Sequence, residues 1–314
     1  MEYNKYSLSF KGSGASYFKI LLVNIILVTI TLGLYYPWAR ARSLQYFYSN
    51  TLFNGQAFVF TGTGSEMFKG FIKAFILLIG IYGLVTYLVL NEQELVGLAL
   101  FYIFFLLLLP LAIHGSYRYR FAKTAWSGIR FGYTGDKWEL FALFIKGTLL
   151  TLITFGIYGA WFMMNLRRYL LCNVKIGDAR FSYKGVGGEY FWLNLKGYFL
   201  SIFTLGLYFF WWQKDLYAYF INNLRLTRGE QTMLLRSTAT GGDFLALILV
   251  NLLLFVFTLG LATPWIAVRT MRFLFSNMVL DGTIAFDELQ QTQPNYDDAT
   301  GEDIADFLDF GFII

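Results

Sequence analysis

The stretch Thr31-Leu32-Gly33-Leu34-Tyr35-Tyr36-Pro37-Trp38 decides the fold, because close copies of it recur along the chain. The best copies are Thr154-Phe155-Gly156-Ile157-Tyr158, Thr204-Leu205-Gly206-Leu207-Tyr208 and Thr258-Leu259-Gly260-Leu261-Ala262, and a weaker copy contains Gly80-Ile81-Tyr82. Each copy closes a long apolar stretch and is followed by basic and aromatic residues. Internal similarity with a period of roughly 50 residues indicates a chain built from repeated units.

The spacing within the copies supports this interpretation. Counted from the Gly of each of the four best copies, a Trp follows after five residues and an Asn after seventeen: Trp38, Trp161, Trp211 and Trp265, then Asn50, Asn173, Asn223 and Asn277. Chance rarely repeats a rare residue such as Trp at a fixed spacing. We therefore predict tandem repeats over residues 10–60, 60–132, 133–182, 183–236 and 237–286, which together form one membrane domain over 1–286, and an acidic C-terminal tail over 287–314.

Composition places the protein in a membrane. The chain has 314 residues, of which 57% are hydrophobic and 14% are charged, whereas a soluble domain carries about 25% charged residues. Apolar runs of roughly 20 residues match a bilayer core about 30 Å thick. We therefore expect transmembrane helices over six runs: 17–37, 69–90, 96–113, 140–162, 190–212 and 244–266.

The ends of these runs predict structure at the membrane surface. The four Trp residues are expected in an aromatic belt at headgroup level, and the basic, aromatic segments that follow are expected to form amphipathic helices in the interface. The basic residues concerned are Arg40, Arg42, Arg167, Arg168, Arg269 and Arg272. Asn54-Gly55 before alternating apolar residues predicts a short β-hairpin. The predicted fold is thus mainly α, with multi-pass transmembrane helices in tandem repeats, interfacial amphipathic helices and short β-hairpins.

The membrane topology has two solutions at this stage. If every apolar run crosses once, the basic segments alternate between sides, and Lys and Arg do not select an orientation. If instead some runs are re-entrant hairpins, all basic segments stay on one side. The acidic turn over residues 91–94 favours the outside for that loop, which places Arg40 and Arg42 inside.

Charge separates the body of the chain from its tail. Residues 1–286 carry 25 basic and 12 acidic residues, a net charge of 25 − 12 = +13, and residues 287–314 carry eight acidic residues, a net charge of −8. A basic body suits anionic lipid headgroups, which are the expected partner, and no nucleic acid is expected. The tail is predicted to dock weakly on the basic connectors or on another protein; the alternative is a terminus without a role.

Five polar residues lie inside apolar runs and are the candidate functional residues: Asn24, Lys146, Asn194, Lys196 and Asn251. Deep polar groups often mark function, so they predict a polar path or ligand site between repeats. Alternatively, the Lys side chains extend to the headgroups and the Asn side chains join neighbouring helices. The chain has a single Cys and a single His and no catalytic motif, so we expect no metal, no cofactor and no enzymatic activity.

The segment from Phe10-Lys11-Gly12-Ser13-Gly14 through Tyr35-Tyr36-Pro37-Trp38 to Gly62 resembles the YjgN family, and the resemblance extends over residues 8–290. These are bacterial multi-pass proteins of the inner (plasma) membrane, grouped under a domain of unknown function. The resemblance implies location and style of fold. It transfers no reaction, cofactor, ligand or site residue.

Two classes of function remain open from the sequence. The first is a membrane-embedded role in transport, as a channel or in lipid handling, because repeat architecture is common in transporters. The second is a structural or interaction protein, a scaffold that binds lipids or a protein partner. A continuous cavity that reaches Lys146 and Lys196 would favour transport, and dry packing at those positions would favour the scaffold.

Overall fold

The computed structural model describes residues 4–292, with side chains over 6–286 and 288–292. The prediction that the end of the acidic tail docks on the protein concerns residues 293–314, which lie outside the described residues. Within them the chain forms ten α-helices: α1 (Gly14–Ile30), α2 (Tyr36–Asn50), α3 (Gly64–Leu90), α4 (Glu94–Ala122), α5 (Lys137–Ile153), α6 (Gly159–Cys172), α7 (Gly187–Phe203), α8 (Phe209–Asn222), α9 (Gly241–Phe257) and α10 (Thr263–Ser276).

The helices form hairpins, and a short β-hairpin or strand follows each one. The strands are β1 (Asn4–Phe10), β2 (Thr51–Phe53), β3 (Gln56–Phe60), β4 (Thr124–Trp126), β5 (Ile129–Tyr133), β6 (Val174–Ile176), β7 (Ala179–Tyr183), β8 (Leu224–Arg228), β9 (Gln231–Ser237) and β10 (Met278–Gly282). A 3₁₀ turn, Phe286–Glu288, follows the last strand.

The strands close into an antiparallel barrel, and the helices form a ring attached to one end of it. Each strand pairs with its sequence neighbour, and β1 pairs with β10, with Ser7 opposite Val279 and Tyr6 opposite Leu280. The helix ring closes at the same place, where α1 packs against α10. Because every strand has two neighbours, the described barrel has no free edge.

The predicted fold of six crossing helices, mainly α, is wrong in two respects. The closed barrel of ten strands is absent from that prediction, and within the described residues only α3 and α4 are long and apolar enough to cross a membrane. In the runs over 17–37, 140–162, 190–212 and 244–266, the chain reverses direction instead of continuing as one helix. The reversal falls on the Thr-x-Gly-x-Tyr motif, where Leu32 and Gly33 both have positive φ.

The basic segments after each Trp also differ from the prediction. They do not lie flat as separate interfacial helices, because α2, α6, α8 and α10 run back along the preceding helix to the barrel. Glycines allow this close approach: a Cβ added to Gly147 of α5 would lie 2.1 Å from the ring of Phe162 in α6. The amphipathic pattern therefore reflects packing within each helical hairpin and against the barrel.

The interior of the barrel is apolar and packed. The largest cluster of buried apolar residues includes Ala179 of β7 and Ile284 after β10, and it extends to Leu140 in the first turn of α5; all three are fully buried. At the end far from the helix tips, the chain after β10 crosses the barrel, and the ring of Phe286 lies 4.8 Å from Phe53 and 5.6 Å from Trp126. We call residues 284–292 the plug.

The plug is held by polar contacts as well as by its aromatic ring. Arg228 donates to the backbone oxygen of Glu288 at 2.6 Å and to Asp178 at 2.7 Å, and the N–H of Gln290 donates to Asp178 at 3.2 Å. Partial burial alone would raise the pKa of the Asp178 carboxyl, but these hydrogen bonds lower it below its ordinary value. The first residues of the predicted tail thus lie against the barrel.

Candidate membrane-embedded surface

Four of the five hairpins end in an apolar tip that projects away from the rest of the protein. The outermost residues are Leu32, Phe155, Leu205 and Leu259, which are 94%, 98%, 95% and 92% exposed. Each has φ near +50°, and the Gly that follows also has a positive φ. An exposed large apolar side chain in a left-handed backbone conformation is uncommon, so its recurrence at four tips indicates a shared purpose.

The tips satisfy their own backbone hydrogen bonds. In the first tip the N–H groups of Leu32, Gly33 and Leu34 donate to backbone oxygens at 2.8–3.2 Å. The N–H of Tyr35 donates to the hydroxyl of Thr31 at 3.0 Å, and that hydroxyl donates to the oxygen of Leu27 at 2.7 Å. The Thr31 hydroxyl therefore bonds a backbone oxygen in the last turn of α1 and a backbone N–H at the start of α2.

The same set of bonds recurs in the other three tips. Thr154, Thr204 and Thr258 each accept from the N–H four residues later at 2.9 Å, and the intervening N–H groups all find backbone acceptors. In hydrocarbon each unsatisfied group costs several kcal/mol, so complete internal bonding is what a lipid-embedded turn requires.

The remaining hairpin, α3–α4, has a different tip. Helices α3 and α4 have 27 and 29 residues, whereas α1, α5, α7 and α9 have 17 each. Its turn consists of Asn91, Glu92 and Gln93, followed by Glu94, and all four residues are exposed. This tip is polar and acidic where the others are apolar.

Three exposed lysines mark one level along the hairpins. Lys73, Lys146 and Lys196 each stand nine residues after the first residue of their helix. At 1.5 Å per residue, the nine residues from Lys146 to Phe155 span about 14 Å, close to half of a hydrocarbon core about 30 Å thick. The eighteen residues from Lys73 to Asn91 span about 27 Å, which approaches the whole core.

The hairpin walls between these lysines and the tips are apolar and exposed. On α1 and α9 the exposed large residues include Leu22, Ile26 and Ile30, and Leu249, Leu253 and Phe257. A contiguous apolar surface of this kind marks a surface that contacts a membrane or another protein.

The four Trp residues contact the next hairpin in the ring. A Cβ added to Gly64, Gly187 or Gly241 would lie 2.4–2.5 Å from the indole of Trp38, Trp161 or Trp211, and Trp265 of α10 approaches Gly14 of α1 in the same way. The junction between α4 and α5 has Leu111 and Lys137 at the corresponding positions. Thus the Trp and the Gly are present or absent together, and the indoles serve as contacts between hairpins.

The candidate polar residues do not assemble into one site. Asn24 donates to the oxygen of Ala39 at 3.1 Å, and Asn251 donates to Thr270 at 3.1 Å, so each joins the two helices of its own hairpin. Asn194 donates to the oxygen of Tyr190 within α7. Lys146 and Lys196 are exposed on the outside of α5 and α7. A polar path between repeats therefore does not follow from these five residues.

The predicted interfacial arginines have several different surroundings. Arg42 lies over the Tyr35 ring, and Arg167 lies 4.0 Å from the centroid of Phe220. Arg168 donates to the oxygen of Gly185 in the next unit, and Arg272 makes the equivalent bond to Gly12 across the ring closure. Arg40 is half-buried in α2. Arg269 lines a cavity between α9 and α10, together with Arg272.

Sequence reasoning missed Arg228 and the plug. A signal was present, since the apolar residues Ile284, Phe286 and Leu289 precede and interrupt the first acidic residues of the tail. The barrel that they close is built from strands of three to seven residues, too short for their closure to be foreseen from local patterns.

Known proteins were compared with the chain. A family model described as "Bacterial protein of unknown function (DUF898)" matches residues 5–185 and 227–307. The Inner membrane protein YjgN of Salmonella typhimurium is 30% identical over 171 residues, which is 51% of this chain and 42% of that protein. The protein of the same name from Escherichia coli K12 is 33% identical over 147 residues, which is 46% of this chain and 36% of that protein.

The matched region thus spans less than half the length of these relatives. No solved structure matches the chain. The names of the relatives support the inner-membrane location expected from the sequence, and the resemblance to the YjgN family is confirmed. The family model covers most of the chain, and the protein therefore belongs to the DUF898 family of bacterial proteins of unknown function.

Proposed function

We propose that this protein handles phospholipids in the bacterial inner membrane, and that most of it enters the bilayer from the cytoplasmic side without crossing it. The observation that carries the proposal is the difference between the tips: four short hairpins end in apolar turns, and one long hairpin ends in an acidic turn. Apolar tips end in hydrocarbon, and the acidic tip reaches the aqueous phase on the far side. The barrel and the basic residues beside it then lie in the cytoplasm.

A mechanism for lipid handling follows from the lengths of the hairpins. Hydrophobic segments shorter than the bilayer core thin the membrane around them. With Lys73, Lys146 and Lys196 at the cytoplasmic headgroups, the four short hairpins fill about half of the core. A thinner membrane shortens the apolar path that a headgroup must cross, and so favours movement of phospholipids between leaflets.

The alternative is a scaffold that organises lipids or a protein partner without moving lipids. The barrel supports this alternative, because the buried residues that cluster there are apolar. The two roles differ in one measurable property, the rate of lipid exchange. The proposal includes no chemical reaction in either case.

The topology is tested first. The variants are made in a Cys172→Ser background and expressed in cells whose outer membrane is permeabilised and whose inner membrane is intact. A cysteine in place of Gln93 is expected to react with a membrane-impermeant maleimide added from outside. Cysteines at Leu205 and at Leu259 are expected to stay unreactive until the membrane is dissolved. Rapid labelling of Leu205→Cys from outside would show that the short hairpins cross the bilayer.

The function is tested in proteoliposomes that contain a fluorescent phospholipid, with a reductant that quenches only the outer leaflet. Loss of more than half of the fluorescence is expected with the protein, and loss of half is expected in empty vesicles. An entrapped soluble dye serves as the leakage control and should be retained. If exchange stays at the rate of empty vesicles, the scaffold role is the better description.

A further inference from the structure

The last hairpin, α9–α10, contains a cavity that has no part in the apolar tips, the lysine level or the plug. It has a volume of about 320 Å³ and lies between the first half of α9 and the second half of α10. Its lining combines charged and apolar groups: Asp243, Ala246, Leu247, Arg269, Arg272, Phe273 and Ser276. The cavity is open to the surface, and a cleft lined by a few charged groups beside an apolar wall can hold a ligand that has both a charged and an apolar part.

The two guanidinium groups are held in place by backbone oxygens. Arg269 donates to Ala246 at 3.3 Å, and Arg272 donates to Gly12 at 2.9 Å. Neither forms an ion pair with any acidic residue in the part of the chain that the structure describes. Because each guanidinium has five N–H donors, most of them remain for a ligand, and planar Arg forks suit phosphate oxygens.

An acidic group completes the lining on the opposite helix. The Oδ2 atom of Asp243 accepts from the N–H and from the hydroxyl of Thr240, at 2.8 and 2.7 Å, in the N-terminal cap of α9. Its other carboxylate oxygen is not used by these bonds. The cavity therefore offers two cations on α10 and one anion on α9.

This combination is specific to the last hairpin among the four with apolar tips. The residues nine and twelve positions after the tip Gly are Arg269 and Arg272 here, but Arg42 and Gln45 in the first, Asn165 and Arg168 in the third and Asp215 and Ala218 in the fourth.

The depth of the cavity corresponds to the headgroup layer. Asp243 and Leu247 stand two and six residues after the start of α9, whereas the lysine level is nine residues after the start of the other helices. The cavity thus lies roughly 5–10 Å to the barrel side of that level. Beyond it toward the tip, Leu249 and Leu253 are exposed along α9.

We propose that this cavity binds the headgroup of a phospholipid whose phosphate is followed by a primary ammonium group, the phosphoethanolamine class. Arg269 and Arg272 hold the phosphate, Asp243 accepts from the ammonium group, and the acyl chains lie along the apolar wall of α9. A phospholipid without the ammonium group would leave Asp243 facing a phosphate. This inference rests on the proposed lipid-handling role, because it requires the hairpin to lie in a bilayer.

The test uses the full chain in phosphatidylcholine vesicles that contain a photoreactive phosphatidylethanolamine. Crosslinks are expected on α9 and α10, and unlabelled phosphatidylethanolamine is expected to compete better than phosphatidylglycerol or phosphatidylcholine. Arg269→Gln should reduce crosslinking about tenfold, since it removes charge-assisted hydrogen bonds. Ala246→Phe, which fills the cavity and keeps both arginines, should have a similar effect.

Two further variants make the test specific. Arg180→Gln removes a charge from an exposed position on β7 and should leave crosslinking unchanged. Asp243→Asn keeps an oxygen that accepts from Thr240, and it should abolish the preference for phosphatidylethanolamine over phosphatidylglycerol while crosslinking persists. Equal losses from Arg180→Gln and Arg269→Gln, or no loss from Arg269→Gln, would overturn the inference.

Two further experiments distinguish a lipid phosphate from free phosphate, and failure of the binding site from failure of the proposed lipid-handling function. Millimolar inorganic phosphate should not compete with the lipid; full competition would identify a site for free phosphate and overturn the lipid assignment. If lipid exchange in proteoliposomes is absent but crosslinks map to the cavity, the lipid-moving role fails and the binding site stands. If exchange occurs without crosslinks at the cavity, the binding site fails alone.

Discussion

The second hairpin and the other four have the same basic construction but differ at the far end. All leave the barrel, and in three of the five hairpins a lysine stands nine residues after the start of the first helix. The long hairpin then continues to Asn91 and Glu92, whereas the short ones stop at residues such as Phe155 and Leu205. Where the helix is long the tip is acidic, and where it is short the tip is apolar, although the turn N–H groups find acceptors within the protein in both kinds of tip.

The comparison shows that the polarity of the residues at a tip depends on the length of the helices that carry it. A bilayer supplies the physical link, because a hairpin that ends within it needs an apolar turn and one that crosses it needs a polar turn. In water the two kinds of tip would have no reason to differ in this order. Each of the following measurements changes one side of this comparison and uses the other as its control.

The largest effect is expected from a charge at a short tip. Phe155→Arg would place a cation in hydrocarbon, at a cost of about 2.5–3.5 kcal/mol, whereas Gln93→Arg changes an exposed polar tip by less than about 0.5 kcal/mol. The thermal midpoint of each variant in nanodiscs and the fraction that remains in the membrane give the measurement. Equal behaviour of the two variants would contradict the proposed depths.

The hydroxyl of a tip threonine is expected to have the next largest effect. Thr154→Val leaves the N–H of Tyr158 without its acceptor, which costs about 1–3 kcal/mol for a group shielded from water. Thr154→Ser retains the hydroxyl and should be close to neutral. Thr86→Val in the long hairpin is the matched control, because the Thr86 hydroxyl donates to Tyr82 within α3 and the structure gives it no N–H to cap.

The contact between hairpins is the third target. Gly187→Ala would place a Cβ 2.5 Å from the Trp161 indole and 2.7 Å from its Cα, and overpacking of this kind costs about 1–3 kcal/mol. The neighbouring Gly188→Ala has open space and should be tolerated. At the junction before α5, which lacks the Trp and the Gly, Lys137→Ala should also be tolerated. Thermal unfolding in one lipid mixture compares all three.

The smallest effect is expected at the lysine level. Lys146→Gln should lower stability in vesicles with anionic lipid by about 1 kcal/mol and have little effect in neutral vesicles. Lys73→Gln should behave in the same way, because both residues occupy the same level although their hairpins differ in length. A dependence on anionic lipid for only one of the two would show that the hairpins enter the membrane to different depths at their bases.

Much of the candidate surface was visible in the sequence. The recurring Thr-x-Gly-x-Tyr motif marks the positions of the four tips, although it was predicted to lie at the end of crossing helices, and the apolar runs coincide with the hairpin walls. Re-entrant runs were one of the two topologies left open, but the place of the reversal was not predicted, because Leu32 and Leu34 are apolar and hydropathy does not fall where the helix ends. The polar turn at Asn91 gave the opposite result, since it interrupts the apolar run and was predicted as an acidic turn between two helices.

The pairing of Trp with Gly was also available from the sequence, but its meaning was not. Trp161 was assigned to an aromatic belt because its spacing says nothing about Gly187, which lies 26 positions later. At the junction between α4 and α5, Leu111 replaces the Trp and Lys137 replaces the Gly. This joint absence is the sequence signal that links the Trp to the Gly. The cavity at Arg269 and Asp243 had no such signal, since it depends on the separation of two helices.

The sequence by itself determined what is local: where the apolar runs and the repeated motif lie, and which family the chain belongs to. Tertiary structure decided what is global. Pairing of β1 with β10 and contact of Trp265 with Gly14 join residues separated by most of the chain. The ring closes because the rotations between its five successive units add up to a full turn, and that sum is a property of the packed units and not of any one segment.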